Sequence, residues 1–396
     1  MRLRNVLVLI SVLALGCDPA ARPQRTVSYG DIDAELLEAA SKGDTSRAKD
    51  LINKGANVNV KDRRDGMTAL MRAARQGNIE TVRLLLEKGA DVNAVEKGGY
   101  PVLIVTESMP FPPQLEIVKL LLKSGANVNA KADNSWTALM EAAKGHSYLR
   151  KAFIDKGRKD VATIPTEFAR LLLERGADAN AMDEAGRTAL MTAAANGQTE
   201  TVKLLIEAGV DVNAKDPDGG TALIYLIEGY VSLMQRLPES DRVTVSTIPI
   251  EIASLLINAG ADVNTETKDG TTVLMEASIS GRADLVRLLV ERGANVNAKF
   301  PRNGMTVLMF AGDTAHTKIV EVLIEKGADI NARDNHGVTA LISAAAGGHS
   351  DVVRLLIEKG ADVNAKNNYG ETALSRASKY NRTGIIELLK QAGAVE

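Results

Sequence analysis

Apolar residues recur along most of the chain in pairs of short segments, each with the spacing of one helical face. Leu70 and Ala74 mark the first segment of one pair, and Val82 and Leu85 mark the second. Apolar positions three or four residues apart predict an amphipathic helix. A glycine then supplies the left-handed residue that ends many helices, and a following Asp or Asn favours a tight turn. The pattern predicts helix-turn-helix units joined by loops.

This unit is repeated over residues 31–396. Its first segment is found as GMTALMRAA (66–74), GRTALMTAA (186–194), GTTVLMEAS (270–278), GMTVLMFAG (304–312), GVTALISAA (337–345) and GETALSRAS (370–378). The closing glycine recurs mostly at steps of 33 or 34 residues, with one step of 36 and two of 51. A chain of 396 residues would ordinarily suggest two or three domains. Because a single helix pair cannot bury its own apolar stripe, we instead predict one all-α solenoid of about ten stacked units, including end caps.

The repeated phrases resemble the ankyrin repeat, and the resemblance extends over about residues 31–396. It implies stacked helix pairs with β-hairpin fingers and a concave face that binds other proteins. That family has Thr-Pro-Leu-His where this chain mostly has Thr-Ala-Leu-Met. Methionine occupies the histidine position at Met71, Met140, Met191, Met275 and Met309. The family's histidine usually forms hydrogen bonds between units, so we expect flexible apolar filling there instead.

Two units carry 18 additional residues each, near 146–164 and 230–248. Each insertion ends in Thr-Ile-Pro, which indicates that a two-unit block was duplicated together with its insertion. Pro165 and Pro249 suit the first turn of a second helix, where a missing N–H has little cost. The apolar residues before them predict an extension of the first helix. Either the two insertions pack on each other and stiffen the solenoid, or they form a two-pronged docking surface.

The beginning of the chain has a different pattern. Arg2 and Arg4 form a short basic head, and an apolar run broken only by Ser11 follows. This layout predicts a signal peptide over residues 1–16. The run is too short for a transmembrane helix, which needs about 20 apolar residues.

Cys17 is the only cysteine, so no disulfide can form within one chain. The sequence ALGC that ends at this residue resembles a bacterial lipobox, whose cysteine receives a diacylglycerol and becomes the new N-terminus. The resemblance implies a lipid anchor in the bacterial cell envelope, on the inner or the outer membrane. Residues 17–30 then read as a flexible tether. The alternative is ordinary cleavage, which would release a secreted protein with a free Cys17.

Departures from the repeated phrase indicate where this chain contacts a partner. Met67, Tyr100 and Trp136 precede the phrase threonine in successive units, on the finger that faces the concave side in the ankyrin family. Trp136 is the only tryptophan in a chain that is 3% aromatic. We expect these side chains to be exposed, and exposed apolar residues in a row are typical of contact surfaces. Tyr225 and Phe310 fall at a neighbouring position. The alternative for Trp136 is that its ring folds down over the first insertion as local core.

The net charge of −2 and the pI of about 6.2 give no support to nucleic-acid binding. Between residues 42 and 88, however, eleven basic and six acidic residues give a local charge of +5. Arg63 and Arg64 belong to a predicted finger tip, and Arg72 and Arg75 to the helix beside Met67. This basic end could rest on anionic lipid headgroups or hold an acidic partner.

The sequence contains no pattern typical of a catalytic, metal or cofactor site. His316 and His349 fall at equivalent positions in their units, which indicates a role in the repeat. No His and Cys spacing suits a metal, and no glycine-rich phosphate loop or G-x-S-x-G elbow is present. We therefore predict that the protein is not an enzyme and needs no cofactor.

The function that we predict is a membrane-tethered, monomeric protein-interaction module whose concave groove binds a partner protein. A narrower alternative is an inhibitor or immunity-type protein that neutralises one envelope enzyme or toxin. Another is a structural spacer, which would depend on the length of the solenoid and not on its groove. Fold analogy supports binding in general but does not identify the partner.

Overall fold

The computed structural model describes residues 32–107, 112–145, 164–236 and 247–395. These residues form twenty helices in ten consecutive pairs. The first helices are α1 (Ile32–Lys42), α3 (Ala69–Arg75), α5 (Val102–Glu107), α7 (Ala138–Lys144), α9 (Ala189–Ala195), α11 (Ala222–Arg236), α13 (Val273–Ile279), α15 (Val307–Asp313), α17 (Ala340–Gly347) and α19 (Ala373–Lys379). The second helices are α2 (Thr45–Asn53), α4 (Ile79–Glu87), α6 (Pro112–Lys123), α8 (Ile164–Glu174), α10 (Thr199–Glu207), α12 (Ile248–Asn258), α14 (Ala283–Glu291), α16 (Thr317–Glu325), α18 (Ser350–Glu358) and α20 (Thr383–Gln391). The predicted signal peptide, Cys17 and tether lie outside the described residues.

The helix pairs stack in two layers. Each first helix packs against the first helix of the next pair, and each second helix packs against the next second helix. The buried side chains form one continuous core from α1 to α20. Because packed helices lie about 8–10 Å apart, ten pairs extend on the order of 100 Å. The prediction of an all-α repeat solenoid is confirmed.

Helices α3 and α4 illustrate how a pair is packed. In α3, Ala73 and Ala74 are fully buried, and their small side chains let neighbouring first helices approach closely. In α4, Val82 and Leu85 are fully buried on the face that meets the first helices. Each such aliphatic side chain contributes roughly 1.5–3 kcal/mol when it leaves water. The repeated Leu and Ala-Ala positions therefore hold the stack together.

Threonine begins most of the first helices because its hydroxyl caps them. The Oγ1 atom of Thr68 accepts a hydrogen bond from the backbone N–H of Met71 at 3.2 Å, and Thr272 does the same for Met275 at 3.3 Å. Such a cap satisfies an N–H that has no partner within the helix, and its loss costs about 1 kcal/mol. The phrase threonine is thus the start signal of the unit.

The methionines of the phrase have a role beyond the apolar filling expected from the sequence. All five are buried, and the sulfur of Met71 accepts a hydrogen bond from the backbone N–H of Thr68 at 3.4 Å. The same bond occurs at Met191, Met275 and Met309. Sulfur is a weak acceptor. Each of these four methionines, Met71, Met191, Met275 and Met309, nevertheless completes a reciprocal capping box within its own unit.

The fingers that precede the first helices are short hairpins held by single β-bridges, with no extended strand among the described residues. Five of these fingers are closed by bridges between Lys61 and Thr68, Val95 and Pro101, Lys131 and Thr137, Glu266 and Thr272, and Lys299 and Thr306. Neighbouring fingers are joined by backbone bonds, such as Lys97 N–H to Asp65 O at 3.0 Å. The hairpin fingers implied by the resemblance are therefore present in minimal form.

A row of exposed asparagines, in the loops that follow the second helices, links successive units. The residues of this asparagine ladder are Asn59, Asn93, Asn129, Asn180, Asn213, Asn264, Asn297, Asn331 and Asn364. Each side-chain oxygen accepts a backbone N–H from the corresponding loop of the next unit, at 2.7–2.9 Å. Several of the amide groups also donate to that unit's closing glycine, as Asn213 does to Gly260 O at 2.9 Å. The ladder supplies polar contacts between units where the histidine network is missing.

The second insertion lengthens a first helix, as predicted. Helix α11 has 15 residues and ends at Arg236, whereas most first helices have seven. Pro165 and Pro249 lie in the first turns of α8 and α12, also as predicted. Residues 146–163 and 237–246 lie outside the described residues. The predicted shape of the first insertion and the pairing of the two insertions therefore stay predictions.

Candidate protein-binding surface

The fingers and the first helices present their polar side chains to a common surface. In the second unit, Arg72 of α3 bonds Asp62 of its finger at 2.6 Å. In the sixth, the hydroxyl of Tyr225 on α11 donates to Asp216 of its finger at 2.8 Å. These contacts place the finger and the first helix of each unit side by side. The surface that they form is the one on which the sequence places the candidate contact residues.

Three of these candidates are buried, which contradicts the expectation that they are exposed. Met67 is only 6% exposed, and Trp136 and Phe310 are each 9% exposed. The sulfur of Met67 lies 3.9 Å from Nη1 of Arg75, and the ring of Phe310 packs on Phe300 with the two centroids 5.5 Å apart. Met67 and Phe310 are thus in contact with residues of their own units. They therefore stabilise the solenoid as part of its core.

Trp136 is enclosed by residues from two units. Its indole N–H donates to Glu141 Oε2 at 3.0 Å, and the guanidinium of Arg187 lies 5.4 Å from its ring centroid. Arg187 is in turn held by Asp183, with Nε 2.8 Å from Oδ2. Trp136 is therefore local core. The contacts that bury its ring in the described residues come from Glu141 and Arg187, and the first insertion lies outside those residues.

The remaining aromatic candidates, Tyr100 and Tyr225, are half-buried against the core. Burial and the hydrogen bond to Asp216 raise the pKa of the Tyr225 hydroxyl. Tyr225 therefore stays neutral and acts as a hydrogen-bond donor that ties α11 to its finger. Tyr100 presents part of its ring to solvent and stays a predicted contact residue.

The basic residues near the beginning of the solenoid are partly neutralised within their own unit. Arg72 bonds both Asp62 and Asp65, and Arg64 also bonds Asp62. The hydrogen bond from Arg64 lowers the pKa of Asp62. Arg63 and Arg75 are exposed and have no carboxylate partner among the described residues. Of the four candidate arginines, Arg63 and Arg75 are therefore the two whose charge is not neutralised by a described carboxylate.

Among the described residues, the most exposed aromatic side chains lie at the opposite end of the solenoid. Tyr369, at the tip of the last finger, is 72% exposed, and Tyr380, after α19, is 45% exposed. The ring of Tyr369 stacks on His336 of the preceding finger, with the two centroids 6.2 Å apart. The guanidinium of Arg376 lies 5.3 Å from the ring centroid of Tyr380. We call Tyr369, His336, Tyr380 and Arg376 the C-terminal aromatic cluster.

Sequence reasoning missed this cluster although a signal for it exists. Tyr369 precedes the finger glycine Gly370, at the position where other fingers have Asp65, Asp218 or Asn303. A large aromatic residue at a turn tip makes few contacts with its own unit. The candidates Met67 and Trp136 lie at the position after the one equivalent to that glycine, directly before the phrase threonine.

A cavity of about 260 Å³ lies beside the aromatic cluster, between the last fingers and the first helices α15, α17 and α19. Its lining residues are Asp313, His336, Val338, Ile342, Ser343, Ala346, Asn367, Tyr369, Glu371 and Arg376. Glu371 accepts a bond from Asn367 at 3.0 Å and pairs with Arg376 at 3.4 Å. The bond from Asn367 and the charge of Arg376 lower the pKa of Glu371. The cavity therefore contains ionised groups of both signs.

Comparison with known families agrees with this architecture. A model of ankyrin repeats in three copies matches residues 36–132, 161–247 and 245–334, and a model of ankyrin repeats in many copies matches residues 323–377. The chain belongs to the ankyrin repeat family. No curated protein matches the chain. Ankyrin repeats are typically non-enzymatic protein-interaction modules, and no catalytic family matches this chain.

Two further features of the described residues concern metal binding and the crossing of a membrane. No group of three or more His, Cys, Asp or Glu residues is placed to hold a metal ion there. Within the same residues, no helix has the length and apolar character needed to cross a membrane. His316 and His349 directly precede α16 and α18, as their equivalent positions in the sequence suggest.

Proposed function

We propose that this ankyrin protein is a membrane-tethered interaction module of the bacterial cell envelope. It binds a partner protein with the surface formed by its fingers and first helices. Membership of the ankyrin family supports the general role. The lipobox-like sequence at Cys17 supports the tether, and cleavage without lipid attachment would give a secreted form.

The observation that carries the proposal is the exposure of Tyr369 beside a cavity. Aromatic residues and arginine are enriched among the residues that dominate binding energy at protein interfaces. Tyr369 and Tyr380 are the exposed aromatic side chains of the described residues. Arg376 lines the cavity together with Tyr369, and its guanidinium lies 5.3 Å from the ring centroid of Tyr380. We therefore place the centre of partner contact at the C-terminal aromatic cluster, with Tyr100, Arg63 and Arg75 as further contact candidates.

The proposed tether and the proposed binding surface lie at opposite ends of the solenoid. The tether begins at Cys17, only 15 residues before α1, whereas the aromatic cluster lies in the last two units. A solenoid on the order of 100 Å long would hold that cluster far from the lipid surface. The partner would then be met at a distance from the membrane.

Crosslinking in intact envelopes tests the proposal. The wild-type chain is compared with a Tyr369→Ser, Tyr380→Ser variant and with a control in which the exposed apolar residues Val95 and Met182 become serine. We expect crosslinked products with partner protein that are lost in the tyrosine variant and kept in the control. Cys17→Ala should abolish membrane fractionation and leave binding to the purified partner unchanged.

Other results would contradict the proposal in distinct ways. Crosslinks that persist in the tyrosine variant would remove the aromatic cluster from the interface. A single partner bound tightly and in equal amount would favour the inhibitor or immunity-type function. No partner at all, together with a phenotype that follows the number of repeats, would favour the spacer.

A further inference from the structure

The cavity beside the aromatic cluster is lined by acidic, basic, aromatic and aliphatic side chains, and their arrangement determines which ligand it can bind. We propose that it binds a lysine or arginine side chain of the partner protein. The inference rests on the proposed function, because it specifies the chemistry of the partner at that same surface. Four observations support it, namely the shape of the cavity, its free carboxylate, its aromatic rim and its paired arginine.

The cavity exists because α17 has small side chains where its neighbours have large ones. Ser343 and Ala346 lie on the surface of α17 and line the cavity. The equivalent positions are Phe310 and Asp313 in α15, and Arg376 and Lys379 in α19. A gap one unit wide is thus left between two taller walls. Its volume of about 260 Å³ suits one long side chain.

Asp313 provides an unpaired negative charge on one wall. Its side chain is exposed and has no hydrogen-bond or ion-pair partner among the described residues, since only its backbone oxygen is bonded, by His349 Nε2 at 2.8 Å. Asp313 is also the last residue of α15, where the helix dipole disfavours an anion. Equivalent helix ends have Arg75, Lys144 and Lys379. An acid in this position costs stability, which a bound cation would offset.

The rim is aromatic. Tyr369 and His336 stack with an interplanar angle of 23°, and both line the cavity. A cation within about 6 Å of the face of the Tyr369 ring is attracted by it. Val338 and Ile342 add apolar surface deeper in the cavity. A long side chain can therefore lay its methylene groups on these residues and bring its charge to Asp313.

The opposite wall repels a cation only weakly, because Nη1 of Arg376 is paired with a carboxylate, while its Nε is buried without a hydrogen-bond partner among the described residues. Nη1 of Arg376 lies 3.4 Å from both carboxylate oxygens of Glu371, and Lys379 lies 3.6 Å from Oε1. Of the charged lining residues, Glu371 compensates Arg376 and Asp313 remains. A carboxylate ligand would instead meet both Asp313 and an ionised Glu371. Charge complementarity thus favours a basic side chain over an acidic one.

Methyl NMR of the purified full chain in detergent tests the ligand class directly. Nα-acetyl-arginine amide, the neutral glutamine analogue and the acidic glutamate analogue are titrated while the methyl signals of Ile342 and Ala346 are followed. We expect saturable shifts with the arginine compound alone, and at least tenfold weaker binding in Asp313→Asn. The control Asp351→Asn removes an exposed acid of α18 and should change nothing. Equal shifts with the glutamine compound, stronger ones with the glutamate compound, or no shifts would overturn the proposal.

The envelope crosslinking assay separates this inference from the proposed function. We expect Asp313→Asn to reduce the crosslinked product at least tenfold and Asp313→Glu to restore most of it. If the tyrosine variant loses the partner while Asp313→Asn keeps it, the cavity inference fails and the proposed function stands. If neither variant loses the partner, both fail.

Discussion

The guanidinium of Arg187 lies 5.4 Å from the ring centroid of Trp136 and covers the only tryptophan of the chain. The two residues occupy the same position in successive units, so this contact joins two fingers. Asp183, which is almost fully buried, fixes the guanidinium from its other side. A residue that the sequence marks as a contact residue is therefore a link within the solenoid.

This contact predicts that Trp136→Ala destabilises the protein. Removal of a large buried aromatic side chain costs about 3 kcal/mol or more, and Tyr100→Ala, at the half-buried equivalent position, should cost clearly less. Urea unfolding followed by circular dichroism measures both variants. An unchanged midpoint for Trp136→Ala, together with a loss of partner binding, would return Trp136 to the interface.

The asparagine ladder predicts a stability role for exposed residues. Asn213→Ala removes bonds to Asp262 N–H and Gly260 O, and we expect a loss of about 1 kcal/mol in the free energy of unfolding, as is typical for exposed hydrogen bonds. Asn196→Ala is the control, since its side chain bonds only Thr192 O of its own helix. Equal losses in urea unfolding of the two variants would show that the links between units add nothing.

Two glycines with similar backbone angles but different surroundings predict different costs. Gly89 has φ +82° and open space around it, whereas at Gly99, with φ +74°, a Cβ would lie 2.8 Å from the backbone nitrogen of Asp133. Gly89→Ala should cost roughly 1 kcal/mol for the left-handed backbone alone. Gly99→Ala adds a clash between fingers, which typically costs a further 1–3 kcal/mol. Thermal unfolding of both variants checks the difference, and equal melting temperatures would contradict it.

His316 predicts a pH dependence of stability. Burial lowers the pKa of its imidazole below the ordinary value, so the unfolded chain takes up a proton more readily than the folded one. The contribution is complete above about pH 6.5 and is lost as the pH falls through the lowered pKa. His316→Asn introduces the residue found at Asn78, before α4, and should weaken this dependence. Urea unfolding at neutral and mildly acidic pH measures it, and an identical dependence in the variant would exclude His316 as the cause.

The helices could be predicted from the sequence because local features determine them. Thr68 and its equivalents cap the first helices, Pro165 and Pro249 mark the first turns of α8 and α12, and the closing glycines end the second helices. Each of these features acts within a few residues. The repeated period then fixes which helices must pack together.

The surface could not be predicted as well, because exposure depends on neighbouring units. Trp136 is buried since Glu141 and Arg187 cover it, and no spacing rule shows where a guanidinium will settle. The asparagine ladder was visible as a repeated Val-Asn, but its bonds reach residues about 30 or 50 positions away. Tyr369 lies at a finger tip, and the repeated pattern does not indicate how much of a ring in that position the neighbouring units cover.

The asparagine ladder also determines how the molecule responds to tension. Each rung ties a loop only to its successor, so a force between an anchored beginning and a bound end would act on the rungs in series. Stability in such an array is a sum of units and nearest-neighbour interfaces. The weakest interface between units would open first and one repeat would unfold, while the other repeats keep their structure. A pull applied to the two ends of the solenoid would thus lengthen it in steps, one unit at a time.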